Sequence, residues 1–236
     1  MKRWLIVLFA VALVGCPYTP RAPEVMGPGL ANPMRMQPAE VELGVVGYGG
    51  AWWDTLQSIE DATVGVRGNI DIGLAPGVSL VVDSGVRWGS GHLVISSARA
   101  GPRFRLLDHL FFGFGFGSSL GGLSNAPYIG ADLELGVGGQ LGPVILSAVV
   151  RGGITSVAVP GYTDLGWYVL PELGVVIHPW EGAPAGPYIA VGGHVGSAIT
   201  GGWRSLEIHG TAGVLARLPA LTLPGSRERE EDPWEP

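Results

Sequence analysis

Five histidines, His92, His109, His178, His194 and His209, are the residues of this chain best suited to acid–base or metal chemistry. Imidazoles set among carboxylates can ligate a cation or relay a proton. Three of them, His178, His194 and His209, share a strand face with Glu172 and Glu207 once side-chain parity is followed along the chain. Their heights differ, because His178 ends its strand while His194 and His209 sit mid-strand, and their spacing matches no zinc-binding pattern. They are therefore expected to join a polar network, with no metal ligand and no cofactor. A second group, Asp54, Glu60, Asp61, His92 and Asp164, falls at the rim, in or beside the longer joins between strands. Charged loop residues in water are the expectation there. No nucleophile, base and orienting group stand together at any recognisable spacing, so no catalytic residue is assigned. The glycines of Gly113-Phe114-Gly115-Phe116-Gly117 alternate on one strand face and lead into no helix, which excludes a phosphate-binding loop.

The elements that position these groups are β-strands. In residues 62–74, Val64, Val66, Ile70, Ile72 and Leu74 alternate strictly with Thr63, Gly65, Arg67, Asn69, Asp71 and Gly73. A period of two places one set on each face of a strand. Ten such stretches are expected, at about 40–53, 62–74, 78–88, 92–106, 110–119, 127–140, 143–152, 165–178, 187–198 and 204–218. Ala75-Pro76-Gly77, Leu107-Asp108-His109 and Leu141-Gly142 read as tight hairpin turns. Longer joins such as 54–61, 120–126 and 153–164 largely alternate with the tight ones. The fold class is all-β: a closed antiparallel up-and-down β-barrel of about ten strands over residues 40–218.

The polar face decides what kind of barrel this is. It is expected to collect a lumen network of Arg67, Asp71, Asp83, Arg87, Arg99, Arg103, Arg105, Asp132, Glu134, Arg151, Glu172 and Glu207, with Glu40, Glu42 and Arg217 on the same parity. Cations and anions nearly balance, and many glycines lie between them. A narrow interior needs glycines to make room for arginines, whose planar heads suit multidentate buried pairing. The other face carries Val, Ile and Leu, and the run Leu110, Phe112, Phe114 and Phe116. Aromatic residues gather at strand ends: Trp52, Trp53, Trp88, Tyr128, Tyr162, Trp167 and Trp203 at one, Phe104, Trp180 and Tyr188 at the other. Two aromatic girdles around an apolar band are features of a barrel in lipid.

Composition agrees with that reading. Charged residues make up only 14%, and there are 40 glycines. Lys2 is the only lysine, whereas a water-facing surface normally carries many. A net charge of −6 provides no basic footprint for nucleic acid. One cysteine excludes an internal disulfide. No apolar run after residue 15 approaches the roughly 18 residues of a spanning helix, so any crossing is by a closed barrel.

Residues 1–15, MKRWLIVLFAVALVG, have two cations and a short apolar run, the shape of a signal peptide. The run ends in Leu13-Val14-Gly15-Cys16, which resembles the lipobox of bacterial lipoproteins. The resemblance implies cleavage before Cys16 and lipidation of Cys16, its sulfur carrying a diacylglycerol and its new amine a fatty acyl chain such as palmitate. Position 17 is Pro rather than Asp, so the best-known inner-membrane retention signal of that family is missing. Residues 16–39 form a Pro-rich tether. Residues 219–236 form a charged, solvated tail. Across residues 40–218 the chain is also similar, in architecture rather than in any signature motif, to small outer-membrane β-barrels. That similarity implies an outer-membrane location, lipid as the surrounding partner and both termini in the periplasm; protein partners are not specified. Some barrels of that class are proteases or lipid hydrolases, but no comparable residue set is present. The expected role is structural, surface-interacting or a narrow conduit, not enzymatic. The alternatives are a soluble periplasmic barrel lipoprotein holding an apolar ligand and a barrel-embedded hydrolase.

Overall fold

Side chains that alternate between apolar and polar can satisfy both faces of one strand only if those faces meet different surroundings. In the computed structural model the alternating stretches become ten strands. They are β1 (Val41–Asp54), β2 (Ile59–Ala75), β3 (Val78–Gly89), β4 (Val94–Leu107), β5 (Leu110–Gly121), β6 (Tyr128–Leu141), β7 (Val144–Val157), β8 (Leu165–Ile177), β9 (Ala185–Ala198) and β10 (Arg204–Leu218). The structure describes residues 38–54, 59–89, 94–121, 128–157, 165–178, 180, 183–199 and 204–218. Each strand pairs antiparallel with its sequence neighbours, and β1 pairs with β10, so the sheet closes into a barrel. The closing register runs from Val41 opposite Leu218 to Asp54 opposite Ser205. Closure leaves no unpaired edge.

One end of the barrel, called here the hairpin end, carries the turns at Pro76-Gly77, Asp108-His109 and Gly142-Pro143 and both ends of the barrel chain. Gly77 (φ 76°) and Gly142 (φ 58°) take left-handed backbone, which a glycine adopts without a Cβ penalty. The Gln140 amide donates to the Gly142 carbonyl at 2.7 Å and steadies the third turn. At the entrance to β1, the Ala39 N–H donates to Gly73 O and the Gly73 N–H to Glu40 O, both at 2.9 Å.

The barrel is apolar outside and charged inside. On β2, Val64 is 61% exposed whereas Asp71 is fully buried. Every strand contributes at least one large exposed apolar side chain to the outer wall. Phe104, Phe112 and Phe114 cluster on that wall, with Phe104 stacked at 5.1 Å on Phe112 and 6.1 Å from Phe114.

Three expectations need correction. The join expected at 153–164 is shorter, because β7 continues to Val157. Gly153, expected in that join, sits inside the β6–β7 ladder opposite Asp132. Gly153 is small for a packing reason: a Cβ there would lie 2.5 Å from the Ala131 carbonyl oxygen and 2.7 Å from the Tyr168 hydroxyl. β2 likewise begins at Ile59, not 62, and β9 at Ala185, not 187. Tyr188, expected in an outer girdle, is buried inside the barrel. Its parity on β9 is that of His194, and its hydroxyl has a carboxylate partner there.

Candidate functional site

The lumen is built from clusters, each fixed by which residues of neighbouring strands stand opposite. Towards the hairpin end, Val46, Ile145, Val176, Tyr188, Ala190 and Leu215 form an apolar cluster on one side of the bore, along β7–β10 and β1. Beside it Arg217 reaches Glu42 at 3.0 Å across the β1–β10 seam.

Across the bore from most of it is a central cluster of three arginines and four carboxylates, on β2, β3, β4, β6 and β7. Glu134 on β6 accepts from Arg103 Nε at 2.6 Å and from Arg151 Nη2 at 2.6 Å. The register makes this straightforward for Arg151, which stands directly opposite Glu134 on β7. Arg99 grips Asp132 with Nε and Nη2, the shortest bond being 2.6 Å. Arg103 also reaches Asp71 at 3.2 Å, and Arg151 reaches Asp83 at 3.5 Å. The Arg151–Asp83 contact joins β7 to β3 and so crosses the bore. Asn69 donates to Asp83 at 3.4 Å and Tyr168 to Asp132 at 3.3 Å. Phe111 backs the cluster, with the Arg103 guanidinium 4.9 Å from its ring centre. Gly115 makes the space, since a Cβ there would lie 2.5 Å from the Arg99 guanidinium.

A second cluster joins β1–β3 to β8–β10. Arg87 pairs with Glu207 at 2.6 Å and donates to the Tyr48 hydroxyl at 3.1 Å. Arg67 lies 4.1 Å over the Tyr48 ring and 4.0 Å from Glu172. Glu172 also accepts from the Tyr188 hydroxyl at 2.7 Å, and His209 Nε2 lies 3.5 Å from it. His209 Nδ1 is 3.6 Å from Glu207. Guanidinium forks, phenol hydroxyls and carboxylates in these two clusters cross-brace opposite walls.

Eleven of the twelve residues expected in the lumen network thus lie in these two clusters. Arg105 does not. It stands at the hairpin end of β4, exposed, with its stem beside Gly77. The parity is right, but β4 has by then reached the mouth of the barrel, where the register with β5 shifts between Arg105 and Leu107. Of the histidines, His209 is in the second cluster and His194 is buried 6.3 Å from the Tyr168 ring. His178 lies beyond the end of β8, its backbone N–H bonded to Pro143 O. Among the described residues no three His, Cys, Asp or Glu side chains converge as a metal site. Cys16, His92, Asp164, residues 1–37 and residues 219–236 lie outside the described residues, as do the side chains of Asp54, Glu60 and Asp61.

The sequence reading passed over Tyr48, Tyr168 and Tyr188 as network members. Their parity was the available signal: Tyr48 shares its face of β1 with Glu42, and Tyr168 its face of β8 with Glu172. Tyr188, near a strand end, reads as a girdle residue, which hides the same signal on β9.

No protein-family model and no curated protein matches the chain. Among solved structures it is similar to the outer-membrane protease OmpT from Escherichia coli, with a TM-score of 0.49 and 9% identity over 77% of this chain and 97% of that one. The translocator domain of the autotransporter NalP from Neisseria meningitidis gives 0.44 and 13% over 75% of this chain and 87% of that one. The β domain of the Bordetella autotransporter BrkA gives 0.43 and 11% over 76% and 100%. At these values no activity, ligand or residue role passes from those proteins to this chain.

Proposed function

We propose that this protein is a bacterial outer-membrane β-barrel whose wall is immersed in lipid and whose lumen is locked by ion pairs. It serves as an envelope anchor and surface platform rather than as a conduit or a catalyst. The observation that carries the reading is the radial inversion of polarity. Leu, Val, Ile and Phe side chains on the outer wall are exposed by up to 70%, for example Leu133 at 68%, while Arg103 and Arg151 are buried at 1% and 0%. A barrel in water has the opposite arrangement, and an exposed apolar surface that encircles a protein is covered by membrane or by partners. The strands, 12 to 17 residues long, exceed the roughly 9–11 that span a bilayer. A soluble barrel holding an apolar ligand would need an apolar bore, and this bore is charged.

The non-conducting role is supported by the bracing. Eight strands leave an interior just filled by side chains, and open aqueous channels need about sixteen. With ten strands, pairs such as Arg151–Asp83 and Arg67–Glu172 cross the remaining space beside an apolar cluster. Cys16 acylation would add a second attachment on the side where the chain enters β1, the periplasmic side in this reading. Acyl chains contribute about 0.8 kcal/mol per buried CH₂.

Fractionation of the Cys16→Ser variant tests the reading. A barrel embedded through its wall stays with the outer membrane, needs detergent for extraction and migrates differently on gels before and after heating. Release of that variant into the soluble periplasmic fraction would refute embedding. Steady conductance of the purified protein in planar bilayers would refute the closed lumen, and hydrolysis of peptide or lipid substrates would refute the non-catalytic role.

A further inference from the structure

The outer wall is not uniformly convex. A trough of about 400 Å³ crosses β6 to β9, with Val137, Ala148, Leu173, Val191, Pro171 and Gly193 among its lining residues. Val137, Ala148, Leu173 and Val191 form one continuous row across the four strands, each opposite the next. The row dips at Ala148, and the wall beside it is low because Pro171 and Gly193 offer little side chain. Here the β8–β9 ladder also passes from Val169–Val195 to Glu172–Gly192 with no pairing at Leu170 or Pro171. Proline has no N–H for such a ladder.

We infer that this trough is a binding site for one acyl chain of a membrane phospholipid. The inference rests on the lipid-immersed reading of the wall and sharpens it to a place. The trough is lined mainly by apolar side chains and is continuous with the apolar belt, and a void there would forfeit dispersion contacts. A flexible hydrocarbon chain follows a concavity more closely than the convex wall of a second barrel does. The volume falls within the roughly 300–1,000 Å³ of ordinary small-molecule sites. Its position selects the leaflet. Ala148 lies near the start of β7 (Val144–Val157) and Leu173 near the end of β8 (Leu165–Ile177), both towards the hairpin end. Beyond that end, in the join between β8 and β9, Trp180 is 63% exposed. An exposed indole below an apolar trough stands where an interfacial anchor meets a headgroup. The occupant is therefore a phospholipid of the leaflet on the side from which both ends of the barrel chain emerge.

The test is photolabelling of the full-length protein in liposomes containing phosphatidylethanolamine with a diazirine in one acyl chain, followed by mapping of the adducts. Peptides carrying Ala148, Leu173 and Val191 should be labelled about threefold or more above the opposite wall around Val66 and Ile70, a preference of about 0.7 kcal/mol. Ala148→Phe fills the trough from its outward face and should bring that labelling down to the level of the opposite wall. Ala148→Leu should give an intermediate value, and heat-dependent gel mobility reports that both variants remain folded. Equal labelling around the wild-type wall overturns the site but leaves embedding intact. Labelling unchanged in a folded Ala148→Phe variant overturns it too. A rise in labelling on Cys16→Ser would assign the trough to the protein's own acyl chain, and protein–protein adducts would assign it to a second copy; either overturns the proposal. Absence of label anywhere on the barrel would instead refute the lipid-immersed reading.

Discussion

Replacing Arg151 by methionine should be among the most damaging single changes in the barrel, and the reason can be worked out from charge balance. Arg151 is fully buried and bonds Glu134 through Nη2 at 2.6 Å and Nε at 3.2 Å, with Asp83 at 3.5 Å. Methionine matches much of the volume, so cavity formation is minor and the effect is electrostatic. In the central cluster Asp71, Asp83, Asp132 and Glu134 then face only Arg99 and Arg103, two negative charges in excess instead of one. Breaking a buried pair by removing one partner costs about 3–5 kcal/mol. The same pair in a water-filled channel would be worth about 0–1 kcal/mol. A second substitution, Glu134→Gln, restores the original excess of one negative charge. The double variant should therefore be more stable than Arg151→Met alone, by a coupling of about 0.5–3 kcal/mol. The assay is urea unfolding of the full-length protein in detergent micelles, followed by tryptophan fluorescence and by heat-dependent gel mobility, with reversibility checked so that midpoints convert to free energies. A loss below about 1 kcal/mol for Arg151→Met would mean that the lumen is hydrated, and the closed-bore argument would fail. A double variant no better than the single one would show that charge balance is not what holds the cluster together.

Other changes probe the wall, the packing and the second cluster. Val66→Arg puts a cation on the outward face near the middle of β2 and should cost about 2–4 kcal/mol, read as reduced assembly into the membrane fraction. Asn69→Ser, on the inward face of the same strand, should cost only about 0.5–1.5 kcal/mol, since it weakens one 3.4 Å bond to Asp83. Gly136→Val drives a Cβ into the Phe111 ring, which backs Arg103, and should cost about 1–3 kcal/mol, read as a lowered urea midpoint. Tyr188→Phe removes the 2.7 Å hydrogen bond to Glu172 and should cost about 1.5–3 kcal/mol; a neutral result would mean that water replaces the hydroxyl.

Much of the architecture was legible before any coordinates. Residues 62–74 alternate cleanly enough to assign both faces of β2, and Pro76-Gly77 and Leu141-Gly142 mark their turns through backbone that glycine favours. The reading failed where one residue type serves two purposes. Gly153 suits a loop by composition but is small because the Ala131 carbonyl and the Tyr168 ring crowd it, and Tyr188 has the chemistry of a girdle residue but binds a carboxylate. Arg105 shows a third kind of miss, since parity says which side a residue faces but not how far along the bore it lies. The trough at Ala148 and Gly193 left no mark in the sequence either. It arises from small residues on three strands that only the register places side by side.

The division follows from the range of the forces involved. Alternation and turn chemistry are properties of a few consecutive residues, so the amino-acid sequence by itself determined an all-β chain with one apolar and one charged face. The partners of the charges were another matter. Arg151 and Asp83 are separated by 68 positions, and Arg87 and Glu207 by 120. Which arginine meets which carboxylate depends on the strand registers and on the closure of β1 against β10. That closure brings opposite walls within the length of one side chain, and only the tertiary structure decided it.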